Sequence, residues 1–127
     1  MKTLRLYEDV VFPDYSDTPI KVKMDTGAAS GAIHAEDIQI VKKDDGYYLS
    51  YRPFGLEEVV AEKDCYRAVR VKSSNGQKEQ RFTVLTDIII GGEKHKIRIS
   101  LRDRSEMKTE AIIGSRFLRN KFIIDPR

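Results

Sequence analysis

The chain has 127 residues, 23 Lys+Arg against 20 Asp+Glu, and a formal net charge of +3. With 40% hydrophobic residues at this length it can build one core and not two, so an enzyme of two lobes around an internal cleft is excluded. No apolar run approaches the roughly 18–20 residues that span a bilayer, and Met1 leads into charged, alternating sequence rather than a secretory leader. Cys65 is the only cysteine, which excludes an internal disulfide and disfavours a cysteine zinc site. The expectation is one domain over residues 1–127, at a reducing, cytoplasmic address.

In chain order the dominant period is two. Residues 3–7 alternate, and Ile20-Lys21-Val22-Lys23-Met24 does so cleanly before the triplet Asp25-Thr26-Gly27. Asp44-Asp45-Gly46 reads as a turn between strands, Ala68-Val69-Arg70-Val71-Lys72 as a strand, and Ser74-Asn75-Gly76 as the next turn. Gly91-Gly92 then turns into the alternating Lys96-Ile97-Arg98-Ile99-Ser100-Leu101. Ala111-Ile112-Ile113-Gly114 is a short apolar strand, and Ser115 is placed to cap a helix over residues 116–120. A last strand at residues 122–124 stops at Pro126. At least three antiparallel hairpins and one short helix are expected, hence a mainly β fold. Residues 94–127 hold ten basic and four acidic side chains, against 13 and 16 before them. This excess is read as a solvated basic surface, and nucleic acid is not an expected partner.

The Asp25-Thr26-Gly27 triplet carries specific chemistry. An aspartic peptidase needs a carboxylate at a strand end, a hydroxyl to orient its loop, and glycine so that backbone can approach the carboxylate. Asp25 is the candidate catalytic residue, with Thr26, Gly27 and the small Ala28 shaping the loop. Chance alone supplies such a triplet in about 2% of chains this long, so by itself it decides nothing, and the plainer reading of a turn after a strand prevails. The downstream pattern alters the balance: Ile113-Gly114 closes an apolar strand just before a short helix.

That order of elements resembles the retropepsin-like aspartic peptidases. More narrowly, it resembles the small bacterial and archaeal family labelled "ATP-dependent zinc protease", found alongside ATP-grasp amino-acid ligases. Three blocks carry the likeness: residues 23–35, from Lys23-Met24-Asp25 to His34-Ala35; Ile90-Gly91-Gly92 with Leu101-Arg102-Asp103-Arg104 and Met107; and Ile112-Ile113-Gly114 with Phe117-Leu118 and Ile124-Asp125-Pro126. The family's basic residue and Thr-Ser after the triplet are here Ala29, Ser30 and Gly31. Its Gly-Arg is here Gly114-Ser115-Arg116.

The resemblance implies an all-β, retropepsin-like acid-protease barrel with one short C-terminal helix. It implies an aspartic endopeptidase with Asp25 as catalytic carboxylate and Ile113 and Gly114 packed behind its loop. One triplet is half a dyad, so a homodimer is expected to complete the site around a peptide substrate. The hairpin of residues 66–84, turning at Ser74-Asn75-Gly76-Gln77, is the candidate flap. The link to ATP-grasp ligases suggests trimming of amino-acid tails that they add. No metal is assigned, because His34 and His95 are the only histidines and no His-Glu-x-x-His occurs; no cofactor is implied either. His34 is read as a packed or hydrogen-bonded residue, His95 as a surface residue and Cys65 as a partly buried thiol. The rival reading is a non-catalytic dimer of the same fold that binds peptides or a ligase and never cuts. A small barrel binding RNA through its basic third ranks behind both.

Overall fold

A computed structural model describes residues 1–72 and 74–127. Ser73, inside the expected flap hairpin, lies outside the described residues. The strands are β1 (Lys2–Arg5), β2 (Tyr7–Val10), β3 (Ile20–Asp25), β4 (Ala32–Lys43), β5 (Gly46–Pro53), β6 (Val59–Ala61), β7 (Tyr66–Lys72), β8 (Lys78–Ile90), β9 (Glu93–Arg102), β10 (Ala111–Gly114) and β11 (Phe122–Asp125). One 3-10 turn at Lys63–Cys65 and one helix, α1 (Ser115–Leu118), complete the described elements. The fold is mainly β with a single short helix near its end, as expected. No helix among the described residues is long and apolar enough to cross a membrane.

All three expected turns join antiparallel partners: β4 with β5, β7 with β8, and β8 with β9. The last is a two-residue turn in which Gly91 and Gly92 have φ of 59° and 78°. That mirror-image turn matches the right-handed twist of the flanking strands and is open to glycine at little cost. Alternation also sorts faces as expected. In β9, Ile97, Ile99 and Leu101 are buried while Lys96, Arg98, Ser100 and Arg102 point the other way.

Three expectations need correction. The alternating run at residues 3–7 is not one strand: it breaks at Leu6 into β1 and β2, which join different sheets. Pairing is not antiparallel throughout, because β3 with β10, β4 with β9 and β1 with β11 are parallel. Alternation reports which face is buried, not the direction of the neighbouring strand. Finally, the sheets do not close into a true barrel. The main path runs β2-β3-β10-β4-β9-β8-β7, with β5 and β6 branching from β4. A lone bridge between Val11 and Ile89 stitches β2's end to β8.

The core lies between these layers, with Phe12, Val22, Met24, Ile33, Leu49, Ile88, Ile99 and Ile113 all at most 1% exposed. Each such side chain is worth about 1.5–3 kcal/mol of burial. β4 serves two sheets. Its first residues, 32–35, are buried beside β9 and β10, and its far half pairs only with β5 after a bulge between Glu36 and Gln39. Asp37 takes a φ of 52° at that bulge, and the bend separates the site-bearing half of β4 from the exposed β4–β5 hairpin.

Candidate active site

β3 ends on Asp25, and the register sets Asp25 beside Gly114 and Met24 beside Ile113 on the parallel strand β10. The loop after Asp25 is held from several sides. Gly27 N–H donates to Asp25 Oδ1 at 3.2 Å, and Ala28 N–H donates to the Asp25 carbonyl at 3.1 Å. On the other side, Ser115 N–H donates to Ala28 O at 2.8 Å and Arg116 N–H to Ala29 O at 3.1 Å. The first N–H groups of a helix have no partner within it, and α1 spends two of them on the carbonyls of this loop. Ser100 N–H of β9 donates to Gly31 O at 3.1 Å and fixes the loop's exit.

The expected cap is therefore corrected. Ser115 is the first helical residue, Gly114 stands at the cap position, and no side chain caps the helix. α1 stops at Leu118 rather than running to Asn120, which has a φ of 65°. The carbonyls of Ala28 and Ala29 do what a capping side chain would have done.

Glycine matters most where the loop meets β10. A Cβ on Gly114 would lie 2.7 Å from Ser30 C and 2.8 Å from both Ala29 C and Ala29 O, and one on Gly31 would lie 2.6 Å from Ile112 O. Gly27 is under less pressure: its Cβ would meet only Asp25 Oδ1, at 3.5 Å. Within one chain the tight approach is at Gly114, the strand's terminal glycine, and at Gly31. Gly31 was singled out only as a departure from a family pattern. Thr26 is exposed and, with Leu6, Met24, Leu118, Phe122, Ile124 and Pro126, lines a mostly apolar depression of about 430 Å³.

The other side of the loop opens on a larger groove of about 750 Å³, lined by Ala28 to Ala32 and by one face of the β7–β8–β9 sheet. Arg67, Val69 and Val71 of β7 and Arg81 and Thr83 of β8 form part of its wall. The β7–β8 hairpin thus shares a groove with the candidate catalytic loop, while its tip residues Ser74, Asn75, Gly76 and Gln77 are not among the lining. Gln77 N–H donates to Asn75 Oδ1 at 3.1 Å in that turn. Lys96, Arg98 and Arg102 of β9, Arg104, Arg116 and Lys121 complete a lining with eight cationic side chains and no carboxylate. Arg81 pairs with Glu79 at 3.5 Å and Lys96 with Asp87 at 3.1 Å. The other six have no ion pair among the described residues. Where a basic residue follows the triplet in the resembled family, this chain has Ala29, and Arg116 shares the wall with it.

This groove was missed as a site. The basic excess was visible in the sequence, but Lys96, Arg98 and Arg102 alternate with core residues along β9 and read as an ordinary solvated face. Only folding sets β7, β8 and β9 side by side.

His34 is buried, at 7% exposure, and hydrogen-bonded as expected. Its Nδ1 accepts from Arg104 N–H at 2.9 Å, and its Nε2 lies 2.8 Å from Glu36 Oε2. A backbone N–H can only donate, so Nδ1 carries the lone pair and Nε2–H faces the carboxylate. Both ring nitrogens are occupied, which leaves none for zinc, and no cluster of three metal-binding side chains occurs among the described residues. His95 is corrected from surface to packed. Its ring stands edge-on to Phe117 and Phe122, at 5.4 and 5.7 Å, and Nε2 is buried without a hydrogen bond. Cys65 is corrected in the opposite sense: the thiol is exposed. A turn beside glycine suggested solvent for His95, but α1 and β11 fold over it.

Comparison with known proteins accords with this geometry. A Legionella pneumophila protein of unknown function, Lpg0085, has the same fold at a TM-score of 0.75 and 22% identity, over 98% of this chain and 93% of that one. A probable alpha-L-glutamate ligase of Shewanella pealeana is 27% identical over 120 residues, and one of Desulfotalea psychrophila is 28% identical over 121. In each case the match covers 91% of this chain but 26% of the ligase, so the chain spans about a quarter of the length of these relatives. The narrower zinc-protease label finds no counterpart among these matches. The profile of the retropepsin-like aspartic endopeptidase RimB matches residues 3–127, and the chain belongs to this RimB-like family.

Proposed function

We propose that this chain is an aspartic endopeptidase of retropepsin type that trims acidic, glutamate-rich tails, with a dyad formed by two copies of Asp25 across a homodimer. The observation that carries this is the placement of a clamped Asp-Thr-Gly loop at the edge of a cationic groove without a carboxylate. An extended peptide of glutamates presents the complementary charge. Relatives named as glutamate ligases make such a tail a fitting product for a peptidase to shorten.

Two carboxylates in contact cannot both carry full charge, so the pair holds one proton between them. The ionised member takes a proton from the attacking water, while the protonated member donates to the scissile carbonyl oxygen. The resulting gem-diol collapses as the amide nitrogen gains a proton and leaves as an amine. Gly27 N–H donates to Asp25 Oδ1, and in this reading the other oxygen is the one that meets the partner carboxylate. The depression beside Thr26, with Leu118, Phe122 and Ile124, supplies apolar surface for the second copy. The β7–β8 hairpin would add strand-like hydrogen bonds over the peptide.

Asp25→Asn, checked for an unchanged fold by circular dichroism, is expected to abolish cleavage of oligoglutamate peptides followed by mass spectrometry. Full activity in that variant would refute the aspartic mechanism. A second reading has its own support: the chain matches only a quarter of each ligase, as a binding module would. It predicts tail binding with no product over days.

A further inference from the structure

Of the six groove cations without an ion pair among the described residues, Arg98 donates to Thr83 Oγ1 at 3.3 Å and Lys121 to Phe117 O at 3.2 Å, while Arg104 is held at both its backbone and its side chain. Its backbone N–H is held by His34 Nδ1 at 2.9 Å and its Nε donates to Thr109 O at 3.2 Å. Thr109 is itself buried and donates Oγ1–H to Ala111 O, at the start of the strand that runs beside Asp25. The guanidinium is thereby tied at Nε, and its Nη groups, without a hydrogen-bond partner among the described residues, are left for the groove that Arg104 lines. Its sequence neighbour Asp103 accepts instead from Ser105 N–H and the Ser105 hydroxyl, at 2.9 and 2.6 Å.

A half-buried guanidinium without a counter-ion is costly, and this one is crowded by a like charge. Desolvation pushes the Arg104 pKa down and Arg102 adds to the effect, while Asp25 opposes it. Arg104 also lines the groove together with Ala28 to Ala32, the residues that lead away from the candidate catalytic carboxylate. A planar fork of two free donor groups at that place matches a carboxylate end-on.

Resting on the peptidase reading above, we infer that Arg104 is the residue that selects an acidic side chain next to the cleaved bond, and that His34 positions it. The two copies of a dimer present two Arg104 forks, so the preference falls on residues flanking the bond on either side. The remaining cations attract the tail as a whole. Glu36 holds the His34 ring through Nε2, so the chain of support runs from β4 through the imidazole to the loop that bears the guanidinium.

The test uses capped hexaglutamate peptides in which one residue at a time is glutamine. Binding is measured by calorimetry on Asp25→Asn, and cleavage on the otherwise wild-type chain, with mass spectrometry fixing which bond is cut. Glutamine at a flanking position should cost about tenfold to hundredfold, the range of a hydrogen bond to a charged group. Arg104→Gln should erase that discrimination while leaving the smaller costs at outer positions. Arg104→Lys should keep affinity but blunt the discrimination. His34→Ala should give part of the Arg104→Gln pattern, and His34→Asn, which retains an acceptor, should restore it. Lys43→Gln, one charge removed at the remote β4–β5 turn, should change neither pattern.

Uniform weakening at every position in Arg104→Gln, no weakening at all, or no binding of any glutamate peptide would each overturn the inference. Arg104-dependent binding without any cleavage would overturn the peptidase and leave the carboxylate site standing. Cleavage of glutamate tails that is indifferent to Arg104 would do the reverse.

Discussion

Replacing Gly114 by alanine tests the packing on which the candidate site depends. The backbone at Gly114 has φ −94° and ψ 178°, which alanine adopts without strain, so any penalty is steric. The added Cβ would stand 2.7–2.8 Å from three backbone atoms of Ala29 and Ser30. It falls short of ordinary carbon contact by about 0.7 Å. None of those atoms belongs to the flexible end of a side chain, so the loop of residues 28–31 must retreat from β10. Overpacking of this kind costs about 1–3 kcal/mol. The stiffer unfolded chain returns about 0.4–1 kcal/mol, which leaves a net loss near 1–2 kcal/mol. For a chain of this size that is a fall in Tm of about 3–10 °C. The protein stays folded at 25 °C, so the displaced loop is read separately as lost cleavage, up to about 100-fold for a shift near 1 Å. Thermal melts and oligoglutamate cleavage of Gly114→Ala should show both losses. Gly27→Ala, whose Cβ has room within the chain, should melt close to wild type. A Gly114→Ala protein with unchanged Tm and unchanged cleavage would refute the close packing of loop on strand.

Two further outcomes follow from the structure. Burial raises the pKa of Tyr51, with the neighbouring Tyr15 phenol, 2.6 Å away, adding to the shift. A raised folded pKa gives stability that is whole below the unfolded value near 10 and is lost as pH rises above it, because the unfolded chain ionises first. Urea unfolding between pH 8 and 11 should therefore fall steeply above pH 10 in the wild type and less steeply in Tyr51→Phe; equal slopes would refute the assignment. If the dyad spans two copies, specific activity should drop on dilution in step with dimer dissociation seen by sedimentation. Constant activity in a monomeric sample would refute the shared site.

Much of the fold was legible because turns and alternation are local. Gly46, Gly76, Gly91 and Gly92 mark hairpins through their backbone freedom, and the buried Ile97, Ile99 and Leu101 announce themselves by period. Partner choice was not legible: nothing in residues 111–114 says that they lie parallel to residues 22–25, since that depends on packing across the whole core. The Asp25 loop and its apolar-glycine partner could be named from motifs. The crowding at Gly114 and Gly31 belongs to backbone proximity that no single segment encodes. The cationic groove was hidden for the same reason, its walls being drawn from β7, β8, β9, α1 and the turns that follow β9 and α1. His95 was misplaced because its burial comes from α1 and β11, which fold over it later in the chain, and Cys65 because nothing in its own segment says that no later element covers it.

The parallel pairing of β3 with β10 also governs when the site can exist. Asp25 is made early, but its loop is clamped by residues 111–116, which leave the ribosome much later. Contacts of such sequence separation form late in folding, after the loop-closure cost has been met. A growing chain that has reached only β9 carries the Asp-Thr-Gly triplet without the strand and helix that shape it. The shaping of the Asp-Thr-Gly loop is thus tied to completion of the fold and not to synthesis of the triplet itself.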